Sequence, residues 1–67
     1  MAMLKVIEVL AESSKSWEDA AQVAVATASK SVRNIKSIYI KNMEATVSDG
    51  KLSAYRVNAK ISFVLDD

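Results

Sequence analysis

Apolar and polar residues alternate most regularly near the end of the chain, from Lys51 to Leu65. Such a period of two is typical of a β-strand with one covered face. The predicted inner face contains Ser53, Tyr55, Val57, Ala59, Ile61, Phe63 and Leu65. The opposite face is polar in its middle. At about 3.3 Å per residue this strand is about 50 Å long.

Two further segments predict strands. Leu4 to Ala11 is rich in Val, Ile and Leu, and both of its faces are mostly apolar, so we expect both to be covered. Ile35 to Val47 is the second segment, and strict alternation places Ser37, Tyr39, Lys41, Met43, Ala45 and Val47 on one face. Asp49 and Gly50 then separate two strand-like runs, which predicts a hairpin turn.

The segment from Trp17 to about Arg33 has the three- and four-residue spacing of a helix. Its apolar stripe consists of Trp17, Ala20, Ala21, Ala24, Ala28 and Val32. Ser16 is the predicted N-cap, and Asp19 occupies the position of the acidic partner in a capping box. Lys30 and Arg33 suit the negative end of the helix dipole, and Asn34 is the predicted C-cap.

The predicted order is therefore β-α-β-β, an α+β fold with a three-stranded antiparallel sheet around one helix. We expect a single domain over residues 1–67, ending in the acidic pair Asp66 and Asp67. A helix of about 17 residues spans only about 25 Å, so about half of the long strand extends past it. A second copy of the chain is the simplest cover for that surplus.

Composition narrows the function classes. Nine Lys and Arg residues against eight Asp and Glu residues give a net charge of +1, which predicts neither nucleic-acid nor membrane binding. The absence of Cys and His excludes disulfides, thiolate metal sites and Ser-His-Asp catalysis. A chain of 67 residues that is 51% apolar has more apolar surface than a monomer can bury, which again favours self-association. The expectation is a non-enzymatic cytoplasmic oligomer.

The remaining candidate chemistry is polar and lies on strands. Arg56, Asn58 and Lys60 form a row that is either a solvated sheet face or a surface for a ligand or another chain. Glu8, Glu44, Asn42 and Asp49 supply oxygens, but their spacing gives no single-chain cation site, so salt bridging is expected of Glu8 and Glu44. A cation site built from several chains remains open. Trp17, Tyr39 and Tyr55 are predicted packing residues.

The chain resembles the dodecin family at both ends. Lys5-Val6-Ile7-Glu8-Val9 followed by Ser16-Trp17-Glu18-Asp19-Ala20 is similar to the N-terminal half of dodecins. The Asp49-Gly50 turn and the strand from Tyr55-Arg56-Val57 to Ser62-Phe63 are similar to the C-terminal hairpin. The resemblance implies a helix partly embraced by a curved sheet. It also implies a hollow homododecamer built from trimers that stores or buffers flavin.

The resemblance also implies a flavin site between protomers. Flavin-binding members have a Trp that stacks on the ring where this chain has Ser37, and a Gln that contacts the ring edge where it has Arg56. FMN or riboflavin is therefore expected to bind weakly, near Ser37 and Arg56. Some members without that Trp are associated with calcium, and this chain is similar to that branch, so calcium or magnesium between subunits is a second expectation. A cation position in some members corresponds to Lys15 here. The alternative is a purely structural shell without a ligand.

Overall fold

The computed structural model describes residues 3–65 and contains the predicted β-α-β-β order. The elements are β1 (Leu4–Ser13), α1 (Trp17–Ala28), β2 (Ile35–Ser48) and β3 (Lys51–Val64). β3 lies between β1 and β2 and pairs antiparallel with both. The fold class is therefore confirmed. The predicted acidic pair Asp66 and Asp67 lies outside the described residues.

The middle of the predicted inner face of β3, from Val57 to Phe63, forms the core, whereas Ser53 and Leu65 near its ends are exposed. Val57, Ala59 and Ile61 are at most 1% exposed. Ala20 and Ala24 of α1 are also buried, and Ile38 and Ile40 of β2 pack against the same cluster. The Ala stripe of the helix explains this geometry, because small side chains allow a helix backbone to approach a sheet closely.

The start of the helix agrees with the prediction, with one correction. Ser16 is the N-cap, and its Oγ accepts a hydrogen bond from the backbone N–H of Asp19 at 3.0 Å. The Asp19 carboxylate does not complete a capping box with Ser16. It accepts a 2.6 Å hydrogen bond from the Ser13 hydroxyl, which in turn accepts from the backbone N–H of Lys15.

The helix ends earlier than predicted. It stops at Ala28 with Ser29 as the C-cap, and the chain then tightens into a turn in which Lys30 N–H donates to Thr27 O. Ser and Thr side chains compete for backbone hydrogen bonds and disfavour helix continuation here, as the 2.7 Å bond from Ser29 Oγ to Val25 O shows. Lys30 therefore lies outside the helix.

Asn34 takes the left-handed conformation, with φ 63°, but it precedes β2 and is not the C-cap. Arg33 also lies beyond the end of the helix, so its predicted favourable position in the last helical turn is wrong. No basic residue lies in that turn. The hairpin turn is confirmed, since Asp49 and Gly50 both have positive φ, at 52° and 73°. That pattern matches the twist of the two flanking strands.

Strand β2 departs from strict alternation. Its register against β3 shifts at three places, between Ile35 and Ser37, Ile40 and Asn42, and Thr46 and Val47. The first two shifts insert an extra residue into β2, whereas the third inserts one into β3, at Ser53, and each breaks the two-residue period of the strand that carries it. The predicted face from Ser37 to Val47 is therefore not one face: Tyr39 is opposite Lys60, whereas Met43 is opposite the buried Val57.

The molecule is elongated, with extents of 51 × 20 × 13 Å. The sheet continues well beyond the short helix, as predicted. Among residues 3–65, no helix is long and apolar enough to cross a membrane.

Candidate functional site on the uncovered sheet face

The two expected ligand contacts, Ser37 and Arg56, lie on different parts of the sheet. Ser37 is near the start of β2 and pairs with Ser62 of β3. Arg56 is six residues before Ser62 on β3, which corresponds to about 20 Å along an extended strand. The structure does not bring Ser37 and Arg56 together within one protomer. A pocket that contains both must take them from two copies.

Arg56 is held between carboxylates of the two neighbouring strands. Its register partners are Glu12 of β1 and Glu44 of β2. Arg56 Nε donates to Glu12 Oε1 at 2.7 Å, and its NH1 lies 3.9 Å from Glu44 Oε1. The hydrogen bond to Glu12, followed by the charge of that carboxylate, raises the pKa of Arg56. A ligand at this position must therefore share the guanidinium with Glu12.

The electrostatics of this group also limit what it can bind. Arg56 has only N–H donors, so it cannot accept a hydrogen bond from a ligand as a Gln side chain can. With Glu12 and Glu44 it forms a group of one positive and two negative charges, all partly or largely exposed. The group offers donors to a ligand but little net attraction for an anion.

Ser37 lies on an exposed part of β2 beside a register shift and provides no aromatic surface. The only Trp of the chain, Trp17, is engaged elsewhere. Its Nε1 donates to the Glu44 carbonyl at 2.8 Å, and its ring meets Tyr55 edge-on at 4.9 Å. Trp17 also packs against the core cluster, which confirms its predicted packing role.

Possible cation ligands are dispersed in the protomer. Glu8 forms an ion pair with Lys41 at 3.5 Å, and Glu44 faces Arg56, so salt bridging is confirmed for both. Within residues 3–65, no three acidic side chains lie close enough to hold a metal ion. The backbone N–H of Lys15 is bonded to Ser13, and its ammonium cannot ligate a cation. The donors of one described protomer do not fit a calcium or magnesium site.

Sequence reasoning missed Glu12. The predicted first strand ends at Ala11, whereas β1 continues through Glu12 to Ser13. The alternation of Leu4, Val6, Glu8 and Leu10 extends to Glu12 in the same phase, and that continuity would have located it on the face of Arg56.

The sheet face opposite the helix is apolar in several places and uncovered. Leu4, Val6, Leu10 and Tyr39 are 51–65% exposed. Within one protomer β1 is therefore covered only on the side of the helix, and the expected cover on its other face is absent. The expected packing role of Tyr39 is wrong for the protomer as well: Tyr39 alternates with Ile38 and Ile40, which pack against the core, and so lies on the uncovered face.

Asn58 lies between Leu10 and Asn42 in the middle of this face. Its Oδ1 is buried and accepts no hydrogen bond from the described residues. A buried acceptor of this kind normally has a partner.

These features define a small α+β protein with a three-stranded antiparallel sheet and an uncovered sheet face. The model of the dodecin family matches residues 3–66, and the chain belongs to that family. The chain is 33% identical over 63 residues to a calcium dodecin of Mycobacterium tuberculosis, covering 94% of this chain and 89% of that protein.

Solved structures agree with this assignment. A variant of Thermus thermophilus dodecin matches over 100% of both chains with a TM-score of 0.95 and 25% identity. The calcium dodecin of M. tuberculosis, described as having a novel calcium-binding site, matches 96% of this chain and 91% of its own with a TM-score of 0.82 and 34% identity. The sequence is thus more similar to the calcium dodecin, whereas the backbone is more similar to the Thermus protein.

Proposed function

We propose that this chain is a cytoplasmic, non-enzymatic storage or buffering protein that assembles into a hollow homododecamer built from trimers. The observation that carries the assembly is the apolar surface left uncovered in one protomer: Leu4, Val6 and Leu10 on β1 are each more than half exposed. Apolar surface of this extent in a small protein marks an interaction surface. Membership of the dodecin family supports the same conclusion.

Native mass spectrometry of the purified protein tests the assembly, because it reports the number of subunits and any bound mass together. The expected species has twelve subunits. A trimeric species would agree with the proposed building unit but contradict the proposed shell of twelve subunits. A monomer in native buffer overturns the whole assembly.

The proposed ligand sites lie between subunits. Ser37 of one copy and Arg56 of another form the flavin position, since the two residues are about 20 Å apart along one sheet. FMN or riboflavin binds weakly there, because Ser37 has no ring to stack on the isoalloxazine and Arg56 is already bonded to Glu12. A stacking aromatic contributes about 1–3 kcal/mol per ring by analogy with nucleobases, which corresponds to roughly tenfold or more in affinity.

A flavin fluorescence titration tests the pocket with four proteins: wild type, Ser37→Trp, Arg56→Gln and the double variant. We expect Ser37→Trp to strengthen binding roughly tenfold or more. We expect Arg56→Gln to add an acceptor, with an effect that depends on Ser37→Trp because both side chains touch one ring. Ser37→Leu is the matched control, since it adds apolar surface without an aromatic face. Tight wild-type binding that survives Arg56→Ala contradicts the proposed pocket.

Calcium or magnesium bound between subunits is the second proposed ligand. The identity to a calcium dodecin supports it. Because the carboxylates of one described protomer are dispersed, such a site needs oxygens from more than one copy. Native mass spectrometry in the presence of calcium is expected to show added calcium on the assembly and none on dissociated protomers.

A purely structural shell is the alternative function. The specific observation in its favour is that Glu8, Glu12 and Glu44 are all paired with cations of the same chain. An assembly that binds neither flavin nor calcium at millimolar concentration establishes this alternative.

A further inference from the structure

Lys60 of β3 lies on the uncovered face of the sheet, because its two neighbours along the strand, Ala59 and Ile61, are buried in the core. Lys60 itself is exposed, and within residues 3–65 its ammonium forms no ion pair and no hydrogen bond. The ammonium is therefore available to an anionic ligand, to which Lys presents a compact point charge with three donors.

Lys60 is close to the proposed flavin position. Ser37 of β2 pairs with Ser62 of β3, and Lys60 precedes Ser62 by two residues, so these three side chains share one face of the sheet. The separation of Lys60 and Ser62 is about 7 Å along the strand. The ribityl chain that joins the ring of FMN to its phosphate is long enough to span that distance. A flavin ring near Ser37 thus has its phosphate within reach of Lys60.

Tyr39 supplies a second donor at the same place. It is the register partner of Lys60 on β2 and is 65% exposed. Its hydroxyl forms no hydrogen bond with any of residues 3–65. Neighbouring strands are about 4.8 Å apart, so the ammonium and the hydroxyl can contact one group. A phosphate monoester has a charge of about −1.5 to −2 at pH 7 and three acceptor oxygens, which suits this pair of donors.

The charges near Lys60 differ from those near Arg56. Two carboxylates flank Arg56, and that of Glu12 already accepts from its Nε at 2.7 Å. The register partner of Lys60 on β1 is Glu8, whose carboxylate is paired with Lys41 at 3.5 Å. Two ammonium groups and one carboxylate therefore lie near Lys60, whereas one guanidinium and two carboxylates lie near Arg56. An anion gains net attraction at Lys60 and not at Arg56.

Apolar surface borders this position. Val6 of β1 is the other register partner of Ser62 and is 51% exposed, and Leu4, two residues before it on the same face, is 57% exposed. The uncharged ring of a ligand can lie on these side chains while its phosphate contacts Lys60. This part of the sheet therefore suits a ligand that combines an apolar ring with a phosphate.

We infer that Lys60, assisted by the Tyr39 hydroxyl, binds the phosphate of a phosphorylated flavin and makes FMN a better ligand than riboflavin. The inference rests on the proposed flavin position and adds the residue that selects between the two flavins. FMN and riboflavin share the ring and the ribityl chain and differ only in the phosphate. The difference between their affinities therefore isolates this contact.

Fluorescence titrations of the assembled protein with FMN and with riboflavin test the inference at low salt. We expect the wild type to bind FMN roughly tenfold more tightly than riboflavin, which is the scale of one hydrogen bond to a charged group. Lys60→Gln is expected to abolish this preference by weakening FMN binding, and Tyr39→Phe to reduce it about threefold. Added salt should reduce the preference as well, because the contact is exposed to solvent.

Lys51→Gln is the matched control. It removes the same charge from the same strand at a distance of nine residues, or about 30 Å, and should leave the preference for FMN unchanged. Phenyl phosphate tests the phosphate contact without a flavin. We expect the wild type to broaden its phosphorus NMR signal and Lys60→Gln to lose that effect. Native mass spectrometry verifies that each variant has the subunit number of the wild type.

The outcomes separate the role of Lys60 from the flavin position itself. Equal affinities of the wild type for FMN and riboflavin overturn the role of Lys60 and leave the flavin position intact. A preference for FMN that survives Lys60→Gln also overturns it, since another cation then holds the phosphate. Phenyl phosphate that binds the wild type but not Lys60→Gln, with no flavin bound, supports the anion site and contradicts the flavin position. Binding of none of the three ligands overturns both proposals.

Discussion

The two ends of the sheet have the same strands but different surroundings. At the covered end, Val57 and Ile61 are packed beneath α1 and almost inaccessible. At the hairpin end, Val47 and Leu52 have comparable apolar side chains and remain more than half exposed. The difference arises from length: a helix of 12 residues spans about 18 Å, whereas a strand of 14 residues spans about 46 Å.

This comparison shows that the strand pattern and the burial of a strand have separate causes. The pattern depends on each strand alone, whereas burial depends on how far the helix reaches. Substitutions at the covered end should therefore change the stability of the protomer, and substitutions at the hairpin end should act mainly through assembly.

The largest expected effect is at Trp17, which joins the two ends. Trp17→Ala removes packing against the core, the edge contact with Tyr55 and the hydrogen bond to Glu44. We expect the free energy of unfolding to fall by about 3–5 kcal/mol per protomer. Denaturant unfolding at fixed protomer concentration measures it, because assembly makes stability depend on concentration.

Trp17→Phe is the control for that measurement. It retains an aromatic ring for packing and loses only the indole N–H that donates to Glu44 O. The expected loss in the free energy of unfolding is therefore smaller than for Trp17→Ala. A Trp17→Ala protein as stable as the wild type contradicts the packing role of this residue.

The second prediction compares Ile61→Ala at the covered end with Leu52→Ala at the hairpin end. Ile61 is fully buried, so its truncation should cost about 2–5 kcal/mol at every protomer concentration. Leu52 is 53% exposed in the protomer, so its loss should depend on concentration and follow assembly. Unfolding curves over a range of protein concentrations separate the two. The same concentration dependence for both variants is inconsistent with the comparison.

The third prediction concerns the turn at the end of the hairpin. Gly50 has φ +73°, and an added Cβ there would have no atom within 4 Å. Gly50→Ala therefore introduces conformational strain without a clash, at a cost of about 1–2 kcal/mol. Gly50→Asn is the matched control, because Asn adopts the left-handed conformation more readily. Equal losses for Ala and Asn in thermal unfolding would show that the left-handed conformation is not the cause.

Local features of the sequence were sufficient to predict the strands and the hairpin. The alternation in β3 and the Asp49-Gly50 pair depend on neighbouring residues, and both predictions are confirmed. The end of the helix was not predictable from the apolar stripe, because Val32 continues the spacing after the Ser and Thr residues have ended the helix. Alternation alone places Tyr39 and Met43 on one face, and only the register shift between Ile40 and Asn42 separates them.

The candidate site was less accessible to sequence reasoning than the fold. The positions of Ser37 and Arg56 on strands followed from the pattern, and their role in binding stays a prediction. The ion pairs of Arg56 with Glu12 and Glu44 require β3 to lie between β1 and β2, and three strands in a sequence do not specify that order. The sequence of one chain also does not specify which of its surfaces meet another copy.

The smallest expected effect is at the N-cap of the helix, within the covered end. Ser16 Oγ accepts from the backbone N–H of Asp19, one of the four N–H groups at the helix start that have no partner inside the helix. Ser16→Ala removes that acceptor, and we expect a loss of about 1 kcal/mol in the free energy of unfolding. Because α1 has only 12 residues, tertiary packing and caps matter more for it than for a long helix.

Two control variants test whether the effect of Ser16→Ala belongs to the covered end of the molecule. Ser16→Asn should retain most of the stability, because Asn is an equally good N-cap. Ser29→Ala removes only the exposed hydroxyl bond to Val25 O at the other end of the helix, so it should cost less than Ser16→Ala. The loss in Ser16→Ala should be the same at all protomer concentrations, since this cap lies at the covered end and not on the hairpin. A loss that appears only in the assembled protein would mean that the helix start, like the hairpin, obtains its stability from a second copy.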